Sequence, residues 1–353
     1  MRDRGAFLFL GFSIVLFFIV IFVVMEVDID KIDFFEKFKK VEKKEVIQDD
    51  EEKLFNNIKI ALDLKNKEKA RDLIYDYFIN YPAGKYLSEA AFLAAELYYD
   101  EKDYEKAIDF LVKARKYNVQ NQKALFLMSK IAVEIDRFNP VLYSELTIAE
   151  KEIKADYIYI GLGYQNVYSK LYDEAIRYFS RLNDEEGFKG LARAYIEKGD
   201  YEKAIESYLK FFSIVDKNNK QYESVKIAFL KQTLYYANKL FDAKKENCTN
   251  YYNILAENFY DEVEGEVSLI KLANFYINKK DYINSIKYLQ KALNNKITEQ
   301  DEDATFLLGQ TYYLNGNKRE SFQIFNTFSQ KYPSSQKIPE VKEWISLLKK
   351  EIY

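Results

Sequence analysis

The hexapeptide DYEKAI stands at 103–108 and again at 200–205, and it is the best preserved part of a longer pattern. Four stretches align: AAFLAAELYYDEKDYEKAIDFLVKA (90–114), GFKGLARAYIEKGDYEKAIESYLKFF (187–212), LIKLANFYINKKDYINSIKYLQKAL (269–293) and TFLLGQTYYLNGNKRESFQIFNTF (305–328). In each, a small residue (Ala95, Ala192, Ala273, Gly309) is followed three positions later by Tyr98, Tyr195, Tyr276 or Tyr312. Nine residues beyond that tyrosine comes another small one, Ala107, Ala204, Ser285 or Ser321. Self-similarity of this kind constrains the fold more than any single motif, because a repeated unit must bury its apolar face against copies of itself.

The spacing inside each unit is helical. Tyr104, Ala107, Ile108, Leu111 and Ala114 fall on one stripe of an α-helix. A second stripe precedes it, so each unit reads as two amphipathic helices. Small residues at facing positions let the two backbones approach, and the aromatics fill the space beside the crossing. Between the helices, Gly199 and Gly316 sit where a left-handed C-terminal cap is wanted, and Asp200 and Asn317 follow where the next helix needs an N-cap. Composition agrees: 11 Gly and 4 Pro in 353 residues leave few breaks for strands and hairpins, which predicts a mostly helical chain.

These residues resemble the tetratricopeptide repeat (TPR), a unit of about 34 residues with small residues at its eighth and twentieth positions. A fifth unit over 159–182 carries Gly163 and Ala175 at those places, and 67–85 reads as the second helix of an earlier one, with Ala70 at the small position. A degenerate unit is expected over 122–154, broken at RFNPV, and a longer one over about 220–262. The fold class expected is therefore all-α, a TPR-type helical-hairpin solenoid of about eight helix pairs over 54–353, closed by a capping helix with Pro339 in its first turn. YP dipeptides near repeat boundaries are similar to those of bacterial membrane-anchored envelope TPR proteins.

Residues 6–25 run for 20 positions without a charge, about 30 Å as a helix, which matches the hydrocarbon core of a bilayer. No small-residue cleavage site closes the run, so an uncleaved anchor is expected. Arg2 and Arg4 precede it while Glu26, Asp28 and Asp30 follow, which predicts residues 1–5 in the cytoplasm and the repeats outside it. Residues 26–53, dense in both signs of charge, read as a tether.

Several chemistries are disfavoured. A net charge of −3 provides no basic excess for a phosphate backbone, so no nucleic-acid partner is expected. The chain has no His and a single cysteine, Cys248, which excludes His-based triads, HExxH zinc sites and any intrachain disulfide. Acidic clusters at 49–52, 184–186, 261–266 and 299–303 lack calcium-loop spacing and mostly precede a first helix, where carboxylates suit the positive helix end. No catalytic, metal or cofactor residue is expected, and the chain reads as a non-enzyme.

The resemblance implies that the first helix of each pair lines a concave groove for a protein or peptide. Its groove positions carry over to Phe92 and Tyr99, Tyr164 and Tyr168, Lys189 and Arg193, Asn274, and then Phe306, Gln310 and Tyr313. Chaperone-binding members clamp a C-terminal carboxylate with Lys and Asn. Lys189 and Arg193 are basic at two such places, but the companion positions do not match, so that clamp is not expected. The expected function is a membrane-anchored scaffold in the cell envelope. A chaperone-like accessory at the secretion translocon is the alternative, and a glycan-acting envelope enzyme a more distant one.

Overall fold

The structure, a computed structural model, describes residues 44–352. The apolar run at 6–25 and the tether up to residue 43 lie outside the described residues. Within them no helix is long and apolar enough to cross a membrane. Seventeen helices and no strand account for the regular structure there, and the chain divides into two compact units after Leu97.

The first unit holds the hairpin α1 (Lys44–Asp63) and α2 (Lys67–Asn80) and enters α3 (Leu87–Asp100). Helix α1 begins ten residues before position 54, inside the segment read as tether. Asn66 caps α2 by accepting from the Lys69 amide at 3.1 Å. The turn that follows is closed through Tyr77, fully buried, whose hydroxyl donates to Glu51 at 2.5 Å and accepts from the Tyr86 amide at 2.9 Å. Tyr86 in turn stacks flat on Phe55, with ring centres 4.3 Å apart. An aromatic stack of this kind adds about 0.5–1.5 kcal/mol beyond its buried area.

In the second unit α4 (Tyr104–Tyr117) is followed by five hairpins: α5 (Gln122–Glu134) with α6 (Pro140–Glu152), α7 (Asp156–Tyr168) with α8 (Tyr172–Phe179), α9 (Glu185–Lys198) with α10 (Tyr201–Ile214), α11 (Tyr222–Asp242) with α12 (Cys248–Asn258), and α13 (Val263–Asn278) with α14 (Tyr282–Leu293). A last hairpin, α15 (Asp301–Leu314) with α16 (Lys318–Lys331), is capped by α17 (Ile338–Ile352). Over both units this makes eight pairs and a terminal helix, as the repeat arithmetic predicts, with the degenerate unit realised as α5–α6 and the long one as α11–α12. In the second unit helices from α4 onward pack in chain order, and the first helices also meet one another directly, α5 on α7, α7 on α9 and α11 on α13.

The small positions are the points of closest approach. Ala192, Ala204, Ala273, Ser285 and Ser321 are all buried, and Ser321 Oγ donates to the Gly309 carbonyl of the facing helix at 2.8 Å. Beside the crossing, Tyr98 stacks on Phe110 (5.6 Å, 12°) and Tyr276 on Tyr288 (5.5 Å, 11°). Asp103, Asp200 and Asp281 each accept from the amide three residues on, which explains why the repeat keeps an aspartate there. Asn317 is the exception. It stands at the N-cap of α16 without capping it, because its Oδ1 accepts from Asn315 Nδ2 at 2.6 Å.

Gly199 and Gly316 adopt φ of +85° and +83°, the left-handed caps expected of them. Lys102, Lys170 and Lys280 occupy the equivalent place in other hairpins at φ near +60°, where a side chain costs about 1–2 kcal/mol that glycine avoids. Lys170→Gly is therefore expected to raise stability by about 0.5–1 kcal/mol after the extra chain entropy of glycine is subtracted. Urea titration checks this, and an unchanged or lower midpoint contradicts it.

Candidate functional site

The ten residues assigned to a groove all fall on first helices of their pairs, and their environments differ widely. Phe92, Tyr164 and Phe306 are buried. Tyr164 meets the edge of Phe179 at 5.2 Å, and Phe306 lies 5.8 Å from both Phe325 and Phe328. Asn274 is turned back on its own helix, where its amide donates to the Ile270 carbonyl at 3.0 Å. At the C-terminal end α17 covers the row: Gln310 donates to Glu340 at 3.3 Å, the Tyr313 hydroxyl donates to Glu351 at 3.2 Å, and the Tyr313 ring stands 5.0 Å from Trp344. Tyr99 is half-buried. Its hydroxyl donates to Glu134 at 2.6 Å beside that of Tyr104 at 3.0 Å, and Lys130 sits 4.9 Å above its ring.

The remaining three, Tyr168, Lys189 and Arg193, gather with Tyr164 where α5, α7 and α9 come together. Tyr168 donates to the Val133 carbonyl at 2.9 Å, which ties α7 to the end of α5. The Arg193 guanidinium lies 5.2 Å from the ring centre of Tyr168 and 5.9 Å from that of Tyr164. Both distances are within cation–π reach. Burial pushes the Tyr168 and Tyr208 phenols up to about 12 and raises Tyr164 further, so all three hydroxyls are neutral donors at physiological pH.

Residues that sequence reasoning did not single out complete the polar surface. Arg193 Nη2 donates to Asp136 at 2.5 Å. Lys189 donates to Glu186 and to Gln221, each at 2.7 Å. Further along, Lys226 is paired with Glu223 at 2.8 Å and Glu262 at 2.7 Å. Of these, Glu186 and Glu262 carry a sequence signal, as members of the acidic clusters at 184–186 and 261–266 that read as helix-start clusters. Asp184 does play that part, accepting from the Gly187 amide at 2.8 Å. Lys189, Arg193 and Lys226 are thus each already paired with the chain's own carboxylates.

Reactive chemistry is sparse. No group of three or more metal-binding side chains occurs among the described residues, and burial raises the Cys248 thiol. Two buried acids lie at the start of the last repeats. Glu266 is fully buried with both carboxylate oxygens unpartnered, and Asp301 pairs one oxygen with Lys331 at 3.0 Å while the other is unpartnered. Within the second unit, the first helices carry aromatic rings beside paired charges.

Tetratricopeptide repeat models match residues 190–214, 267–296 and 303–335, which are α9–α10, α13–α14 and α15–α16. No curated protein sequence matches the chain. Among solved structures, the C-terminal part of a TPR repeat-containing protein from Cytophaga hutchinsonii shares 17% identity over 71% of this chain and 98% of its own, with a TM-score of 0.46. A tetratricopeptide repeat protein from Parabacteroides merdae shares 11% over 84% and 98%, at 0.40. The pilF protein of Pseudomonas aeruginosa shares 16% over 62% and 97%, at 0.39. At such identities and scores no property of those proteins transfers to this chain.

Proposed function

Since this chain belongs to the tetratricopeptide repeat family, we propose that it is a non-enzymatic scaffold that holds a polypeptide partner along its inner row of first helices while its N-terminus is anchored in the cytoplasmic membrane. The observation that carries the reading is the meeting of α5, α7 and α9, where half-buried Tyr168 and two ordered cations, Lys189 and Arg193, are presented side by side. Aromatic rings beside arginine are the usual makings of a binding hot spot, because they bury large area at small entropic cost.

The anchor rests on sequence. Sixteen of the residues at 6–25 are Leu, Ile, Phe or Val, and at roughly −0.3 to −0.6 kcal/mol each they favour insertion by about 5–10 kcal/mol. The charge asymmetry around that run supports an extracytoplasmic repeat region in a bacterial envelope.

A photo-crosslinking residue placed in turn at Tyr168, Lys189 and Gln310 tests the reading in cells. Capture of one or two resident proteins is expected. A broad set of unfolded exported chains instead identifies a chaperone-like accessory at the translocon, and no capture from any of the three positions contradicts the groove. N-terminal sequencing of the purified protein tests the anchor, which a mature start near residue 26 rules out.

A further inference from the structure

In four hairpins the second helix opens with a tyrosine: Tyr104 of α4, Tyr172 of α8, Tyr201 of α10 and Tyr282 of α14. That ring reaches the first helix of the next hairpin. The Tyr104 hydroxyl donates to Glu134 at the end of α5 at 3.0 Å, and Tyr201 stacks on Tyr236 of α11 at 5.5 Å. Helix α12 opens instead with Cys248, after a loop lengthened to Ala243–Asn247 where Ser169–Leu171 or Lys279–Asp281 suffices elsewhere. Between Cys248 and the end of α13, the next first helix, lies a cavity of about 510 Å³. We propose that this cavity binds a small aromatic anion, a flat ring carrying one carboxylate or an equivalent charge, in the place that the repeat elsewhere gives to its own tyrosine. It lies apart from the groove described above and does not rest on it.

The deep walls are apolar. Phe241 at the end of α11 and Phe275 of α13, both half-buried, line the space with buried Cys248. Burial raises the Cys248 thiol, so its sulfur faces the space neutral and polarisable. Two aromatic walls favour a ring, which meets them by offset or edge-to-face contact. The volume falls within the range of about 300–1,000 Å³ typical of small-molecule sites.

The mouth sets the charge. Exposed Lys244, Lys245 and Lys279 stand there against Asp242 and Glu246. Lys279 is spent internally, paired with Glu246 and lying 5.7 Å over the Phe275 ring. Among the described residues no carboxylate lies within ion-pair reach of Lys244 or Lys245, whereas Lys189 and Lys226 each engage two acceptors. Two uncommitted ammonium groups against the single carboxylate of Asp242 leave the mouth one positive charge in excess. A ligand with one negative charge neutralises it, and a cationic one meets two like charges.

Calorimetric titration of 2-naphthoate into the full chain in a non-ionic maltoside detergent tests this, with a detergent-only titration subtracted and 2-naphthamide and 2-naphthylmethylammonium as comparisons. Saturable binding is expected, with the acid about 2- to 5-fold tighter than the amide and the cation weakest. Cys248, the only thiol of the chain, reports on the same place: its alkylation by iodoacetamide should slow about tenfold at about ten times the Kd of 2-naphthoate. Changing Lys244→Gln and Lys245→Gln together should remove the preference for the acid and leave amide binding as it was. Cys248→Tyr, which restores the repeat's own ring, should abolish binding of all three compounds, with its thermal midpoint measured alongside. No saturable binding to the wild type overturns the proposal, as does an amide or cation that binds as tightly as the acid. A preference for the acid that survives the lysine changes overturns it too, and so does unslowed alkylation of Cys248, which places the compound elsewhere. Undiminished binding to a folded Cys248→Tyr variant has the same meaning; if that variant does not fold, the alkylation rates and the paired lysine changes decide alone.

Discussion

Replacing Phe179 with alanine is expected to cost about 3–5 kcal/mol, with the loss concentrated in the hairpins that meet on its ring. Phe179 is fully buried at the end of α8. A Cβ at Gly163 of α7 would stand 2.6 Å from the ring, and one at Gly190 of α9 would stand 2.3 Å from it. The ring therefore lies directly on two backbones that carry no side chain, and the edge of Tyr164 closes a further side. Truncation leaves a cavity whose walls have nothing to swing inward, and a site that cannot collapse sits at the upper end of the range for such changes. Gly190→Ala should destabilise from the other direction, by about 1–3 kcal/mol of overpacking. Pairing it with Phe179→Leu should cost less than the sum of the single changes, because the two sites share one space.

Energy in a repeat array is a sum of unit and nearest-neighbour terms, so the damage should stay local. Hydrogen exchange on Phe179→Ala is expected to show faster exchange for amides of α7–α10, with those of α15–α17 nearly unchanged. A loss under about 1 kcal/mol, or uniform acceleration along the chain, would show that the two glycines do not define a close crossing.

Phe179 also marks how far the sequence could be read. Gly163 was recognisable from its repeat position, as were Ala192, Ala204 and the unit spacing that located α5–α6 and α11–α12. Those signals are local: helical period, small residues and caps are settled within about one turn of chain, as Asp103, Asp200 and Asp281 show. Gly190 carried no such mark, because its role depends on how far one hairpin rotates against the next. The same limit applies to the groove. Assigning Tyr164 or Phe306 to an inner surface follows from its place in the unit, but their burial is decided by the neighbouring Phe179, Phe325 and Phe328. Asp136 lay furthest from reach, since its partner is two hairpins away. The left-handed lysines were hidden for a different reason. Lys102, Lys170 and Lys280 pay a strain at a position where glycine is the recognised signal, so the residue type pointed away from the conformation.

Glu266 yields the second large effect. It lies near the start of α13, fully buried, and neither oxygen of its carboxylate has a partner. Burial holds its proton above the ordinary glutamate value of 4.5, and the nearby carboxylates of Asp301 and Glu299 push in the same direction, against the pull of the nearby Gln300 backbone amide. A carboxyl group whose folded-state pKa is raised binds its proton more tightly in the folded chain than in the unfolded one. Stability is then greatest below about 4.5 and falls as pH rises from there to the folded-state value, beyond which the loss is constant. Glu266→Gln keeps the shape and removes the ionisation. The variant should match the wild type in acid and exceed it at pH 7 by about 1–3 kcal/mol, the usual cost of an unsatisfied buried polar group. Asp301→Asn should do less, because Lys331 already meets one Asp301 oxygen. Urea midpoints of wild type and Glu266→Gln between pH 4 and 8 decide the matter. A difference that shrinks with rising pH, or a variant less stable than wild type at pH 7, would mean that Glu266 is ionised and satisfied in the folded chain.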